Sequence, residues 1–128
     1  MRRVLVVDDQ AHARAAVLVV LRGHGFQVTG LEDGASGLRA LEAQPFDLVI
    51  VDIYMPGMDG VQFIKAVRRV LPDLPIIAVS GVMMRGSQRT ALDFFPDLPA
   101  LNRVTCLQKP FRAPELVNAV NEALAVAA

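Results

Sequence analysis

Leu48-Val49-Ile50-Val51-Asp52-Ile53 is the stretch that decides the fold. Four consecutive apolar residues leave no solvent-facing position, as they would in a strand with one face exposed. The run is too short for a buried helix, so it reads as a strand covered on both faces, the usual situation in a parallel sheet. The one charged residue, Asp52, comes at its carboxyl end.

Four more apolar runs lie on either side of it: Val4 to Val7, Phe26 to Leu31, Pro75 to Ser80 and Val104 to Leu107. The second is the weakest, because Gln27 and Thr29 interrupt it. Helical patterns fill the intervals. Residues 11–23 carry Ala13, Val17, Val20 and Leu21 at helical spacing and stop before Gly25. Residues 34–43 carry Leu38 and Leu41 and end before Pro45; residues 58–71 carry Phe63, Val67, Val70 and Leu71 and end before Pro72. A short helix is expected around 87–95, broken by Pro96 and Pro99. The last helix has Pro114 in its first turn, then Leu116, Val117, Val120, Ala123 and Leu124.

Strand and helix therefore alternate five times. With right-handed crossovers this gives an α/β, doubly wound, five-stranded parallel sheet with helices on both faces. A ligand site in such a sheet lies at the carboxyl ends of the strands, at the switch point of the topology. The residues expected there are Asp8 and Asp9 after the first run, Asp52 in the third, Ser80 at the end of the fourth and Lys109 after the fifth.

Crowded carboxylates repel. Two unit charges 4 Å apart cost ~4 kcal/mol at an effective dielectric near 20, so the cluster calls for a cation or a shared proton. A hard divalent ion suits oxygen ligands; Mg2+ is expected, with Mn2+ as the alternative. A carboxylate can also attack phosphorus to form an acyl phosphate, and phosphoryl transfer needs mainly positioning and charge stabilisation. Asp52, ending the central strand, is the nucleophile candidate. Asp8 and Asp9 are the metal-ligand candidates, although taken alone they would also serve to cap the first helix. Lys109 and the Ser80 hydroxyl are candidates to hold phosphoryl oxygens.

Val6-Val7-Asp8-Asp9, the loop Asp52-Ile53-Tyr54-Met55-Pro56-Gly57-Met58-Asp59-Gly60, the pair Ser80-Gly81 and Lys109-Pro110-Phe111 occur in register along the chain. In these motifs the sequence resembles the receiver domain of two-component response regulators, over essentially its whole length and in the flavodoxin-like fold of that family. The resemblance implies a histidine kinase or phosphotransfer protein as phosphoryl donor and Asp52 as acceptor. It implies Mg2+ held by Asp8, Asp9, Asp52 and the backbone carbonyl of Tyr54. It also implies Ser80 and Lys109 as phosphoryl contacts whose shift signals to a downstream protein target, and a cis bond before Pro110. Asp59 is read as capping or shaping the turn into the third helix rather than binding metal, and Gly60 as structural.

Two departures stand out. The family often has an aromatic switch residue three positions before the lysine, and here that position is Cys106. The stretch from Ser80 to Lys109 is also several residues longer than in compact members. A phosphohydrolase with an aspartyl-phosphate intermediate would be expected to place a second aspartate two positions after the nucleophile, where this chain has Tyr54. A further alternative is an interaction module independent of phosphorylation.

Residues 1–128 suit one receiver domain without an output domain, resembling single-domain chemotaxis regulators; a receiver cut from a larger regulator or hybrid kinase would look similar. Lys and Arg match Asp and Glu at 13 each, which argues against direct nucleic-acid binding. No apolar run is long enough for membrane insertion. The single cysteine excludes an internal disulfide. A cytoplasmic location is expected. If the domain dimerises, the faces near the 87–95 segment and the last helix are the expected contacts.

Overall fold

The computed structural model describes residues 1–55, 57–80 and 103–127. Five strands, β1 (Arg3–Val7), β2 (Gln27–Leu31), β3 (Leu48–Asp52), β4 (Ile76–Ser80) and β5 (Val104–Gln108), form one sheet in the order β2-β1-β3-β4-β5. Every pairing is parallel. The described helices are α1 (Ala11–Gly23), α2 (Gly34–Ala43), α3 (Gly60–Val70) and α4 (Ala113–Ala127). This is the doubly wound α/β architecture expected from the runs. The helix expected around 87–95, with Met83, Met84, Phe94 and Phe95, lies outside the described residues.

Two apolar layers sandwich the sheet, because successive strand residues point to opposite faces. Val4, Val6, Ile50, Ile77 and Val79 meet Val17 and Leu21 of α1 and Leu116, Val120 and Leu124 of α4. Leu5, Val7, Val49, Val51, Ile76 and Ala78 meet Phe63, Ile64 and Val67 of α3, with Leu38 and Leu41 of α2 packed at the margin. Strands β3 and β4 are buried along their whole length. Their unbroken apolar runs are the result.

Helix α3 begins at Gly60, two residues later than the expected 58–71. Asp59 is its N-cap, with its side chain accepting from Gln62 N–H at 2.8 Å while Gln62 Oε1 accepts from Asp59 N–H at 3.1 Å. This reciprocal box satisfies two donors that a helix start leaves open. At the far end Val70 is 70% exposed, so the apolar face closes at Val67.

Candidate functional site

The register determines which side chains meet. Val7 pairs with Val51, so Asp8 and Asp52, one residue further along, emerge side by side between β1 and β3. That is where the chain winds to opposite sides of the sheet, the position where such folds bind ligands. Asp52 pairs with Val79, the residue before Ser80, and Ser80 pairs with Gln108, the residue before Lys109. Lys109 N–H donates to Ser80 C=O at 2.8 Å, prolonging the β4–β5 ladder by one bond. The peptide bond from Lys109 to Pro110 is cis, as the resemblance implied.

Among the described residues, the buried polar or charged ones are Asp8, Asp52 and Ser80, and all three lie at this edge. Lys109 Nζ stands 3.2 Å from Asp8 Oδ2 and 3.4 Å from Asp52 Oδ2. Asp8 Oδ1 accepts from Gln10 N–H at 2.9 Å, and Asp52 Oδ1 accepts from Tyr54 N–H at 3.0 Å. Asp9 is exposed. Its carboxylate and those of Asp8 and Asp52 each offer an oxygen within 4.8 Å of the others. Three carboxylates against one ammonium leave an excess of negative charge. The donors are all oxygen, a set that fits a hard divalent cation.

Burial pushes the Asp52 carboxyl above its ordinary range, against the lowering effect of the Tyr54 N–H and the Lys109 charge; the Asp8 carboxylate pushes it further up. The Tyr54 phenol is raised as well, chiefly by burial and then by the Asp52 charge, while its hydrogen bond with the Ser80 side chain works the other way. A cavity of about 750 Å3, with Asp8, Asp52, Tyr54 and Lys109 in its lining, leads to the cluster and lets a small ligand reach it.

The loop after Asp52 is held by a close approach. Gly60 N–H donates to Ile53 C=O at 2.9 Å. A Cβ on Gly60 would stand 2.4 Å from Ile53 Cα and 2.5 Å from Asp52 O, so any side chain there would force α3 off the strand end.

Neither aspartate caps α1; its N-cap is Gln10, without a side-chain cap bond. Cys106 is half-buried and packs on the α3 side of the sheet, away from the acidic cluster, and burial pushes its thiol up. One contact was not legible in the sequence, the bond from Arg14 Nη1 to the Asp8 carbonyl at 2.7 Å. It leaves no periodicity or spacing signal.

The family model for the response regulator receiver domain matches residues 4–121. The chain belongs to the response regulator receiver family. Phosphoryl acceptance is the general role of that family, which is a signalling module. The receiver is 32% identical to the response regulator receiver protein CpdR of Brucella abortus, over 99% of this chain and 100% of that one. It is 36% identical to the sensor histidine kinase GacS of Pseudomonas protegens, over 70% of this chain and 10% of that protein. Among solved structures it is similar to the chemotaxis response regulator CheY4 of Vibrio cholerae, with TM-score 0.84, 29% identity, and coverage of 97% of this chain and 99% of that one. No helix among the receiver's described residues is long and apolar enough to cross a membrane.

Proposed function

We propose that this receiver, a single domain over residues 1–128, takes a phosphoryl group onto Asp52 from a phosphohistidine of a histidine kinase or phosphotransfer protein and signals by contact with a downstream protein in the cytoplasm. The observation that carries the reading is the convergence of the buried Asp8, Asp52 and Ser80 on Lys109 at one sheet edge. The match to a sensor histidine kinase supports the choice of donor.

Asp8, Asp9, Asp52 and the main-chain carbonyl of Tyr54 would hold Mg2+, which when bound supplies positive charge for the phosphoryl oxygens. A carboxylate oxygen of Asp52 forms the O–P bond as the donor's P–N bond breaks, and the electron pair leaves on the imidazole nitrogen. Tyr54 N–H fixes the carboxylate's orientation through Oδ1. Lys109 moves from the carboxylates toward the incoming phosphoryl oxygens, exchanging one anionic partner for another. Ser80, at the end of β4, donates its hydroxyl to a phosphoryl oxygen. That contact changes the β4 end and, through the Lys109 N–H bond, the β5 end. Asp52 changes itself and turns over no metabolite.

The test is to incubate the purified protein with Mg2+ and phosphoramidate and measure its intact mass beside Asp52→Asn. A gain of about 80 Da, labile to hydroxylamine and absent in the variant, is expected of an acyl phosphate. No gain with phosphoramidate or with a phosphorylated histidine protein would instead make the chain a phosphorylation-independent interaction module.

A further inference from the structure

Arg14 touches none of the groups assigned above to the phosphoryl group or the cation, yet its guanidinium reaches the one peptide that joins the first two acidic residues. Its Nη1 donates to the Asp8 carbonyl at 2.7 Å, a short charge-assisted bond. The Asp8–Asp9 peptide is planar, so holding its carbonyl fixes how the chain leaves Asp8 and enters Asp9. The other atoms of Asp8 are also held: its N–H donates to Leu31 C=O at 3.0 Å, Oδ1 accepts from Gln10 N–H and Oδ2 from Lys109.

The stem of Arg14 has a made seat. It crosses Gly30 of β2, where a Cβ would stand 3.2 Å from Arg14 Cγ, 3.3 Å from Arg14 Cδ and 2.9 Å from Leu18 Cδ1. Glycine inside a strand weakens it, and it commonly marks a place where another group comes close. Here that group is the arm that anchors the acidic loop.

We infer that Arg14 is a positioning residue for the cation site, acting through the Asp8 carbonyl, and that Gly30 is the seat its stem requires. The inference rests on the proposed role of Asp8 and Asp9 as cation ligands. Charge and geometry predict opposite outcomes. Removing a positive charge beside an acidic cluster should tighten Mg2+ binding by Coulomb attraction alone. Losing the anchor should weaken it, by about tenfold, as loss of an outer hydrogen-bond partner of a metal ligand commonly does.

The experiment is Mg2+ titration calorimetry on the full chain, with melting temperature in EDTA as the check on folding. The variants are Asp9→Asn, Arg14→Ala, Arg14→Lys, Gly30→Ala and the Arg14→Ala/Gly30→Ala pair. Arg14→Ala is expected to weaken Mg2+ about tenfold, Arg14→Lys less, and Gly30→Ala in the same direction with Arg14 intact. In the double variant Gly30→Ala should cost nothing further, because the stem it displaces is gone. Unchanged or tighter Mg2+ binding in Arg14→Ala, with Asp9→Asn weakened, overturns the inference and leaves the proposed function standing. A Gly30→Ala loss that persists without Arg14 overturns the seat. Parent-like binding in Asp9→Asn removes the cation reading itself.

Discussion

Lys109 holds its ammonium between two carboxylates, 3.2 Å from that of Asp8 and 3.4 Å from that of Asp52. In the resting protein the lysine is thus a partial stand-in for the missing positive charge. In the proposed reaction it becomes a ligand of the new anion. We expect Lys109→Gln to keep Mg2+ affinity within about tenfold of the parent, since the lysine competes with the ion as much as it assists it. The gain in melting temperature on phosphorylation should disappear. Calorimetry and thermal melts with and without phosphoramidate distinguish these effects. Loss of Mg2+ binding in Lys109→Gln, with phosphorylation-induced stabilisation retained, would contradict the assignment.

Asp52 is costly to the fold. Its carboxyl is raised by burial, so the folded chain holds that proton more tightly than the unfolded chain. Stability then falls as pH rises, from the unfolded value of 3.8 through the raised folded one, and levels off above it. In EDTA, Asp52→Asn should match the parent near the acid end of this window and exceed it at neutral pH. The difference should show as a higher melting temperature for the variant at neutral pH and none at the acid end. A parent that outlasts the variant at neutral pH would sink this prediction.

Gly60→Ala should destabilise the protein by at least about 2 kcal/mol, because its Cβ meets main-chain atoms that cannot step aside. Urea denaturation measures the loss. A variant with the parent's midpoint would show that α3 can lift from β3 at no cost.

Tyr54 is the chain's single tyrosine, in a protein without tryptophan, and it lines the same cavity as Asp52 and Lys109. Its fluorescence should change when Mg2+ binds and again when Asp52 is phosphorylated, and the second change should vanish in Ser80→Ala. Position 54, two residues after the acceptor, is a tyrosine and not a carboxylate or amide of the kind that activates or orients an attacking water. The acyl phosphate should therefore persist for minutes rather than seconds, as read by intact mass over time.

The sequence was legible where burial sets the pattern. Val4 to Val7 and Leu48 to Val51 are apolar because both faces are covered, and the polar residue following each run, Asp8 or Asp52, is at the sheet edge. Asp8, Asp52, Ser80 and Lys109 converge there by register alone. The start of α3 was misread by two residues, although Asp59 and Gln62 carry a capping-box spacing that would have located it. Val70 kept the helical period but lies past the point where the core ends. Gly30 lies in the weakest of the five runs and carries no signal of its own in the sequence. Its use depends on where an arginine from α1 crosses it, which only the assembled fold determines.

The bond between Lys109 and Asp8 joins residues 101 positions apart, and that between Lys109 and Asp52 spans 57. A nascent chain therefore displays the acceptor long before it has the lysine that completes the site. Pairings between distant parts of a chain form late, after the entropy of closing the intervening loops has been overcome. If the proposed chemistry holds, competence to take up a phosphoryl group arrives with the last steps of folding, and a half-made molecule lacks it.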